Sequence, residues 1–200
     1  MGTEIIKGKW ALVTGASSGF GVEFARELAR YGSNLIITAR RQERLEGLKE
    51  ELVQNQGISV EVIPKDLSDV DAPLQLFNQI NSKGIDVDVL INNAGFGLFG
   101  EFVDLDWQDQ AEMLKLNILS LTHLTWLFVH PMIKRGFGYI LQVASNSAYQ
   151  PSPLYATYGA SKSYVLNFSE ALHNELRDTG VICSVISPGP VVTEFQEVAG

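Results

Sequence analysis

The 200 residues predict a single three-layer α/β domain, spanning 1–200, on a doubly wound parallel sheet. Three observations carry that expectation. Six short apolar runs alternate with five helical patterns. Several of the runs are apolar on both faces, as suits parallel strands covered by helices on either side. The first run leads straight into a glycine-rich turn, Thr14-Gly15-Ala16-Ser17-Ser18-Gly19-Phe20-Gly21, and a helical pattern follows.

In chain order the strand-like runs are Trp10–Thr14, Asn34–Thr38, Ser59–Ile63, Val87–Ile91, Tyr139–Val143 and Val181–Ile186. The helical patterns fall near 19–31, 41–55, 69–82, 107–134 and 154–178. Gly32, Gly57, Gly84, Gly136 and Gly180 stand near their ends as helix stops. No linker divides the chain, and no repeat is present.

Composition removes several function classes. The chain has 15 Lys and Arg against 23 Asp and Glu, a formal net charge of −8. That balance opposes a general nucleic-acid binder, which needs a basic face. One cysteine, Cys183, leaves no internal disulfide and no cysteine-built zinc site. Three scattered histidines, His123, His130 and His173, offer little to a metal. Residues 1–13 lack the pattern of a secretion signal. The stretch between Lys115 and Lys134 holds too many polar residues and a proline for a good bilayer span, and reads as a buried helix. A free thiol and no targeting signal point to the cytoplasm.

The glycine-rich turn carries the first chemical signal. Gly15 permits a tight turn, Gly19 lets backbone approach a pyrophosphate, and Gly21 lets the helix pack close to the strand. Free N–H groups at the helix start, with the Ser17 and Ser18 hydroxyls, suit phosphate oxygens. The bland alternative is a glycine-rich turn with no ligand. The same residues also fit G-x-S-x-G, so a serine hydrolase using Ser17 is a remote alternative. After the second strand, Arg40 stands where an acid would accept from a ribose 2′-OH. An arginine there suits a 2′-phosphate, which favours NADP(H) over NAD(H).

The second signal lies at 145–162. Tyr158 and Lys162 are four apart in a helical pattern, one turn apart on one face. A free tyrosine titrates near about 10, and a neighbouring ammonium favours the phenolate. Ser145 follows the fifth strand at the carboxyl edge, where such sheets bind ligands. Tyr155, with Gly159 at its i+4 position, is a weaker candidate, and Ser147 rivals Ser145.

Taken together, the TGxxxGxG turn, Asn92-Asn93-Ala94-Gly95, Ser145, Tyr158-x-x-x-Lys162 and Pro188-Gly189 resemble the short-chain dehydrogenase/reductases in order and spacing. The resemblance covers nearly the whole chain. It implies a Rossmann fold with strand order 3-2-1-4-5-6. It implies Tyr158 as general acid/base and Lys162 as a ribose contact that lowers the Tyr158 pKa. Ser145 would polarise the substrate oxygen, and Asn117 would support a proton-relay water. The dinucleotide would lie against Gly15, Ser17, Ser18, Gly19, Phe20 and Gly21. Asp66 and Leu67 would meet the adenine, and Asn93, Ala94 and Gly95 its ribose. Pro188, Gly189 and Thr193 would line the nicotinamide end.

The implied activity is NADP-dependent exchange between a carbonyl and a secondary alcohol, with a non-enzymatic or inactive dinucleotide binder as the alternative. The loops Phe96–Gly100 and Gln150–Leu154 are candidate walls of a partly apolar substrate pocket. The resemblance implies a homodimer or homotetramer joined through the helices near 107–134 and 154–178. Relatives usually continue past Thr193 into a lid, a helix and a seventh strand. The chain is therefore expected to be incomplete, with Val181–Ile186 left at a sheet edge that favours aggregation.

Overall fold

The computed structural model describes residues 4–189. A short 3₁₀ turn, Glu4–Ile6, precedes β1 (Trp10–Thr14), α1 (Gly19–Arg30), β2 (Asn34–Thr38), α2 (Gln42–Gln56), β3 (Val60–Val62), α3 (Ala72–Ser82) and β4 (Val87–Asn92). Then come α4 (Trp107–Leu114), a π-helical turn (Lys115–Ser120), α5 (Leu121–Arg135), β5 (Gly138–Val143), α6 (Ala156–Glu175) and β6 (Val181–Ile186). The strands form one six-stranded sheet in the order β3-β2-β1-β4-β5-β6. Every pairing is parallel.

Strand alternation explains why the strands read as continuous apolar runs. Leu12, Ile36, Leu90 and Ile140 face one side and pack on Leu76 and Ile80 of α3 and Leu124, Phe128 and Met132 of α5. Ala11, Val13, Leu35, Ile37, Val89 and Ile91 face the other side and meet Ala25 and Ala29 of α1 and Leu45, Leu48 and Leu52 of α2. Both faces of the central strands are thus buried. The α1/α2 layer does not reach across the whole sheet. Ile182 pairs in register with Tyr139, on the face that Val89 lends to α1, and is 47% exposed.

Three boundaries differ from the sequence expectation, each for a local reason. Helix α3 starts at Ala72 rather than 69, because the Asp69 side chain accepts from the Asp71 N–H and its carbonyl from the Ala72 N–H, closing a turn first. Helix α6 starts at Ala156 rather than 154, because Leu154 has φ +66°. The single helix expected over 107–134 is interrupted by the π turn that carries Asn117.

Among the described residues, the run Trp107–Arg135 is long and apolar enough to cross a membrane by length and composition. Half of its apolar window is buried in the fold, against the sheet and α3. Strand β6 is the last strand in the sheet order among the described residues.

Candidate active site

The carboxyl ends of the strands open into a cavity of about 470 Å³, within the range of small-molecule sites. Its floor is the glycine-rich turn. Gly15 has φ +67°, and a Cβ there would lie 2.9 Å from both Ala94 Cα and Asn93 Nδ2. At Gly21 a Cβ would stand 2.7 Å from Asn93 Nδ2 and closer still to the Gly15 carbonyl. Helix α1 therefore presses on the turn and presents its first N–H groups to the cavity. Ser18 is the N-cap residue of α1, and its hydroxyl makes no capping bond. Gly15, Ser17, Ser18, Gly19 and Phe20 all line the cavity.

The end of β4 is stitched to the end of β1. Thr14 Oγ1 donates to the Ile91 carbonyl at 3.2 Å and accepts from the Asn93 and Ala94 N–H groups, each at 3.0 Å. Asn93 Nδ2 donates to the Thr14 and Gly15 carbonyls at 2.9 and 3.3 Å. These bonds fix where Asn93, Ala94 and Gly95 enter the cavity wall. Thr14 carries this junction, a role the sequence reading did not assign it. Its presence in the turn motif was the available signal.

Arg40, Arg41 and Lys65 line one end of the cavity with Asp66 and Leu67. The Arg40 side chain is 63% exposed and pairs with Glu112 at 3.5 Å. Arg41 and Lys65 were missed, although Arg41 adjoins Arg40 in sequence. Arg41 Nε and Nη2 donate to Ser17 Oγ at 3.3 and 3.2 Å. This does not favour Ser17 as a hydrolase nucleophile, since a guanidinium supplies no base. His173 Nδ1 sits 2.8 Å from the Cys183 carbonyl, and His123 and His130 flank the Trp126 ring. No histidine lines the cavity among its described residues. Asp66 Oδ1 accepts from the Ser68 N–H and hydroxyl at 3.0 and 2.7 Å, which holds the turn after β3. The Leu67 side chain lies mostly in the core.

Opposite the glycine turn, Ser145, Tyr158 and Lys162 are all buried and all line the cavity. Ser145 is the serine whose hydroxyl acts on the Tyr158 phenol, pulling its pKa down, which separates it from its rival; its Oγ also donates to Asn146 Oδ1 at 3.2 Å. Ser147 lines the cavity too, but its N–H donates to Ser145 Oγ at 3.2 Å and so holds that hydroxyl in place. Lys162 Nζ donates to the Val143 carbonyl at 2.9 Å and lies 5.8 Å from the centre of the Tyr158 ring.

Desolvation acts on both ionisable groups of this cluster. Burial pushes the Tyr158 phenol above its ordinary value, the Ser145 hydroxyl pulls it down, and Tyr155 nearby pushes it up. Burial pushes the Lys162 ammonium down to about 8.

Asn117 Nδ2 donates to the Phe96 carbonyl at 2.9 Å and to Ser161 Oγ at 3.1 Å, and its Oδ1 accepts from the Phe96 N–H at 3.2 Å. The side chain thus braces the loop after β4 against α6. Both its N–H donors are committed to protein partners. A Cβ on Gly95 would come 2.8 Å from Asn117 Oδ1 and 3.4 Å from Lys162 Nζ, so glycine there lets the loop pass over both. Pro188 and Gly189 close the cavity near Ser145, and the Asn146 N–H donates to the Pro188 carbonyl at 3.0 Å. Thr193 lies outside the described residues.

The fold thus brings the glycine turn, a basic end and a Ser-Tyr-Lys cluster to one cavity. A sequence profile described as short chain dehydrogenase matches residues 9–199. The chain is 36% identical over 193 residues to 17-beta-hydroxysteroid dehydrogenase type 3 of Rattus norvegicus, covering 95% of this chain and 62% of that protein. It is 31% identical over 197 residues to the very-long-chain 3-oxoacyl-CoA reductase of Homo sapiens, covering 96% of this chain and 62% of that one. The chain therefore spans less than two thirds of the length of these curated relatives. A solved short-chain dehydrogenase from Sphingobium yanoikuyae, in complex with NADPH, superposes with a TM-score of 0.91 at 31% identity, covering 96% of this chain and 75% of that one. The motif order, the sheet order and these likenesses agree, and the chain belongs to the short-chain dehydrogenase/reductase family.

Proposed function

We propose that this chain is the catalytic core of an NADP(H)-dependent oxidoreductase that interconverts a carbonyl and a secondary alcohol. One observation carries the reading. A buried tyrosine, beside a buried serine and one turn from a buried lysine, faces the same cavity as a glycine-rich helix start. The close approach at Gly15 and Gly21 and the uncapped α1 start fit a pyrophosphate. When bound, the dinucleotide supplies the hydride.

The chain's own groups do the rest. Ser145 Oγ donates to the substrate oxygen and orients it toward Tyr158. Tyr158 gives its proton to that oxygen during reduction and takes it back during oxidation. Lys162, held by the Val143 carbonyl, places a positive charge beside the phenolate that reduction leaves. Asn117 keeps the loop at Phe96 in register with α6.

Arg40 meets the 2′-phosphate, since its exposed ion pair with Glu112 holds it by only about 0–1 kcal/mol. Arg40→Ala is expected to raise the NADPH dissociation constant about tenfold, roughly 1.4 kcal/mol for a lost charge-assisted bond. NADH binding should change by less than about threefold, because NADH has no phosphate for the lost charge. Fluorescence titration measures both. Equal losses for the two cofactors overturn the assignment. NADPH binding without turnover of any ketone or alcohol in a broad panel would favour a non-enzymatic binder.

The outer faces of the α4–α5 run and α6 expose Leu119, Trp126 and Tyr164. Tyr164 hydroxyl and Thr122 Oγ1 lie 2.9 Å apart, so these residues form one continuous surface. A homo-oligomer joined there would cover them. Sedimentation is expected to show a dimer or tetramer, and a monomer at micromolar concentration removes this part of the proposal.

A further inference from the structure

The acid/base assignment leaves the Tyr155 side chain on the cavity wall without a task. Tyr155 is half-buried and lines the cavity. Its ring centre lies 5.1 Å from that of Phe99 and 5.8 Å from that of Tyr158, tilted by 52° and 57°. Tyr155 is not a second acid/base, because Gly159 stands where a lysine would have to be.

The wall is built into the fold rather than left to a loose loop. Leu154, just before Tyr155, has φ +66°, a conformation that L side chains rarely adopt. Its carbonyl accepts from the Gly100 N–H at 2.9 Å. That bond joins the loop after β4 to the loop that enters α6, and brings Phe99 onto Tyr155. Two further bonds fix the same corner. Thr157 Oγ1 donates to Gln110 Oε1 at 2.6 Å, which ties the start of α6 to α4. The Phe96 backbone is clamped by Asn117. A preorganised aromatic face presents flat contact area at small entropic cost.

We infer that Tyr155, backed by Phe99, is a specificity-determining residue whose fixed ring selects carbonyl substrates bearing a flat ring next to the reacting carbon. This rests on the proposed oxidoreductase reading. A flat ring stacks on Tyr155 while its carbonyl reaches Ser145 and Tyr158. A flexible alkyl chain gains less from such a face and loses more freedom on it.

The test compares acetophenone with 2-octanone, ketones of equal carbon number, as substrates with NADPH. The ratio of their kcat/KM values is read in the parent chain, Tyr155→Leu and Tyr155→Phe. The parent is expected to prefer acetophenone by about fivefold or more, in the range of one aromatic contact. Tyr155→Leu should bring the ratio to within about twofold of unity, chiefly by raising KM for acetophenone. Tyr155→Phe should keep the preference. An unchanged ratio in Tyr155→Leu, or an equal fall in Tyr155→Phe, overturns the inference.

Ligand-observed NMR with NADPH-loaded protein reads binding of both ketones without turnover. Acetophenone binding that is lost in Tyr155→Leu and kept in Tyr155→Phe, with no reaction, supports the aromatic wall and sinks the proposed reaction instead. Binding of neither ketone, or of both equally, overturns the wall.

Discussion

Tyr158→Phe is expected to lower kcat/KM for ketone reduction by about 10²- to 10⁴-fold, the range of a lost general acid. NADPH binding should stay within about threefold, because the ring still fills its buried place and only the hydroxyl is gone. The effect should appear in kcat more than in KM, since the proton moves only in the transition state. Steady-state kinetics and a binding titration check both. Near-normal turnover in the variant would remove Tyr158 from the mechanism.

The same group sets a pH dependence. Burial raises the phenol pKa above its ordinary value, so at neutral pH the group holds its proton. That is the form reduction needs. Oxidation needs the phenolate, whose fraction grows as pH rises. Lys162, pushed down to about 8, still carries charge at pH 7 and loses it above pH 8. Reduction is therefore expected to be fastest at or below neutrality, and oxidation to rise from pH 7 toward 9. Opposite trends would show that burial is not the dominant influence on Tyr158 during turnover.

Gly21→Ala is expected to damage stability and cofactor binding together. Its methyl would meet Asn93 Nδ2 at 2.7 Å and crowd the Gly15 carbonyl. Neither neighbour is a free side-chain end. The Gly15 carbonyl belongs to the turn, and Asn93 Nδ2 is bonded to the Thr14 and Gly15 carbonyls. Overpacking of this kind costs about 1–3 kcal/mol, and disturbing the asparagine bonds adds about 1–3 kcal/mol. For a chain of this size that corresponds to a Tm lower by roughly 5–15 °C.

NADPH affinity should fall at least about tenfold as the start of α1 moves off the turn. Gly47→Ala is the control. Gly47 lies on the exposed side of α2 with nothing within 4 Å of a Cβ, and the substitution should stabilise by about 0.5–1 kcal/mol. Thermal melts of both variants decide the matter. A Gly21→Ala protein that melts and binds NADPH like the parent would show that the contact is not tight.

Much of the fold could be read from residues alone, because the signals are local and repeated. The runs at β1 and β2 coincide with the observed strands, since a strand buried on both faces is mostly apolar; the run at β6 coincides as well, although its Ile182 face is open. Strand β3 is shorter than Ser59–Ile63. It is an edge strand in the sheet, paired only with β2, and sequence pattern does not count partners. The π turn at Asn117 was illegible because its cause lies elsewhere. It goes with bonds to Phe96 and Ser161, 21 and 44 residues away.

The site divides in the same way. The glycine spacing and the Tyr158/Lys162 pair declare their chemistry in sequence, because a close backbone approach needs glycine and one helical turn sets i and i+4 together. What sequence by itself determined was a doubly wound parallel sheet, its strand order implied by the family resemblance, and the identity of the chemical groups at its carboxyl edge. The tertiary structure alone decided which serine acts on Tyr158, that Arg41 holds Ser17, and that both Tyr158 and Lys162 are desolvated. Those outcomes depend on desolvation and on contacts across long stretches of chain, and no local pattern encodes either.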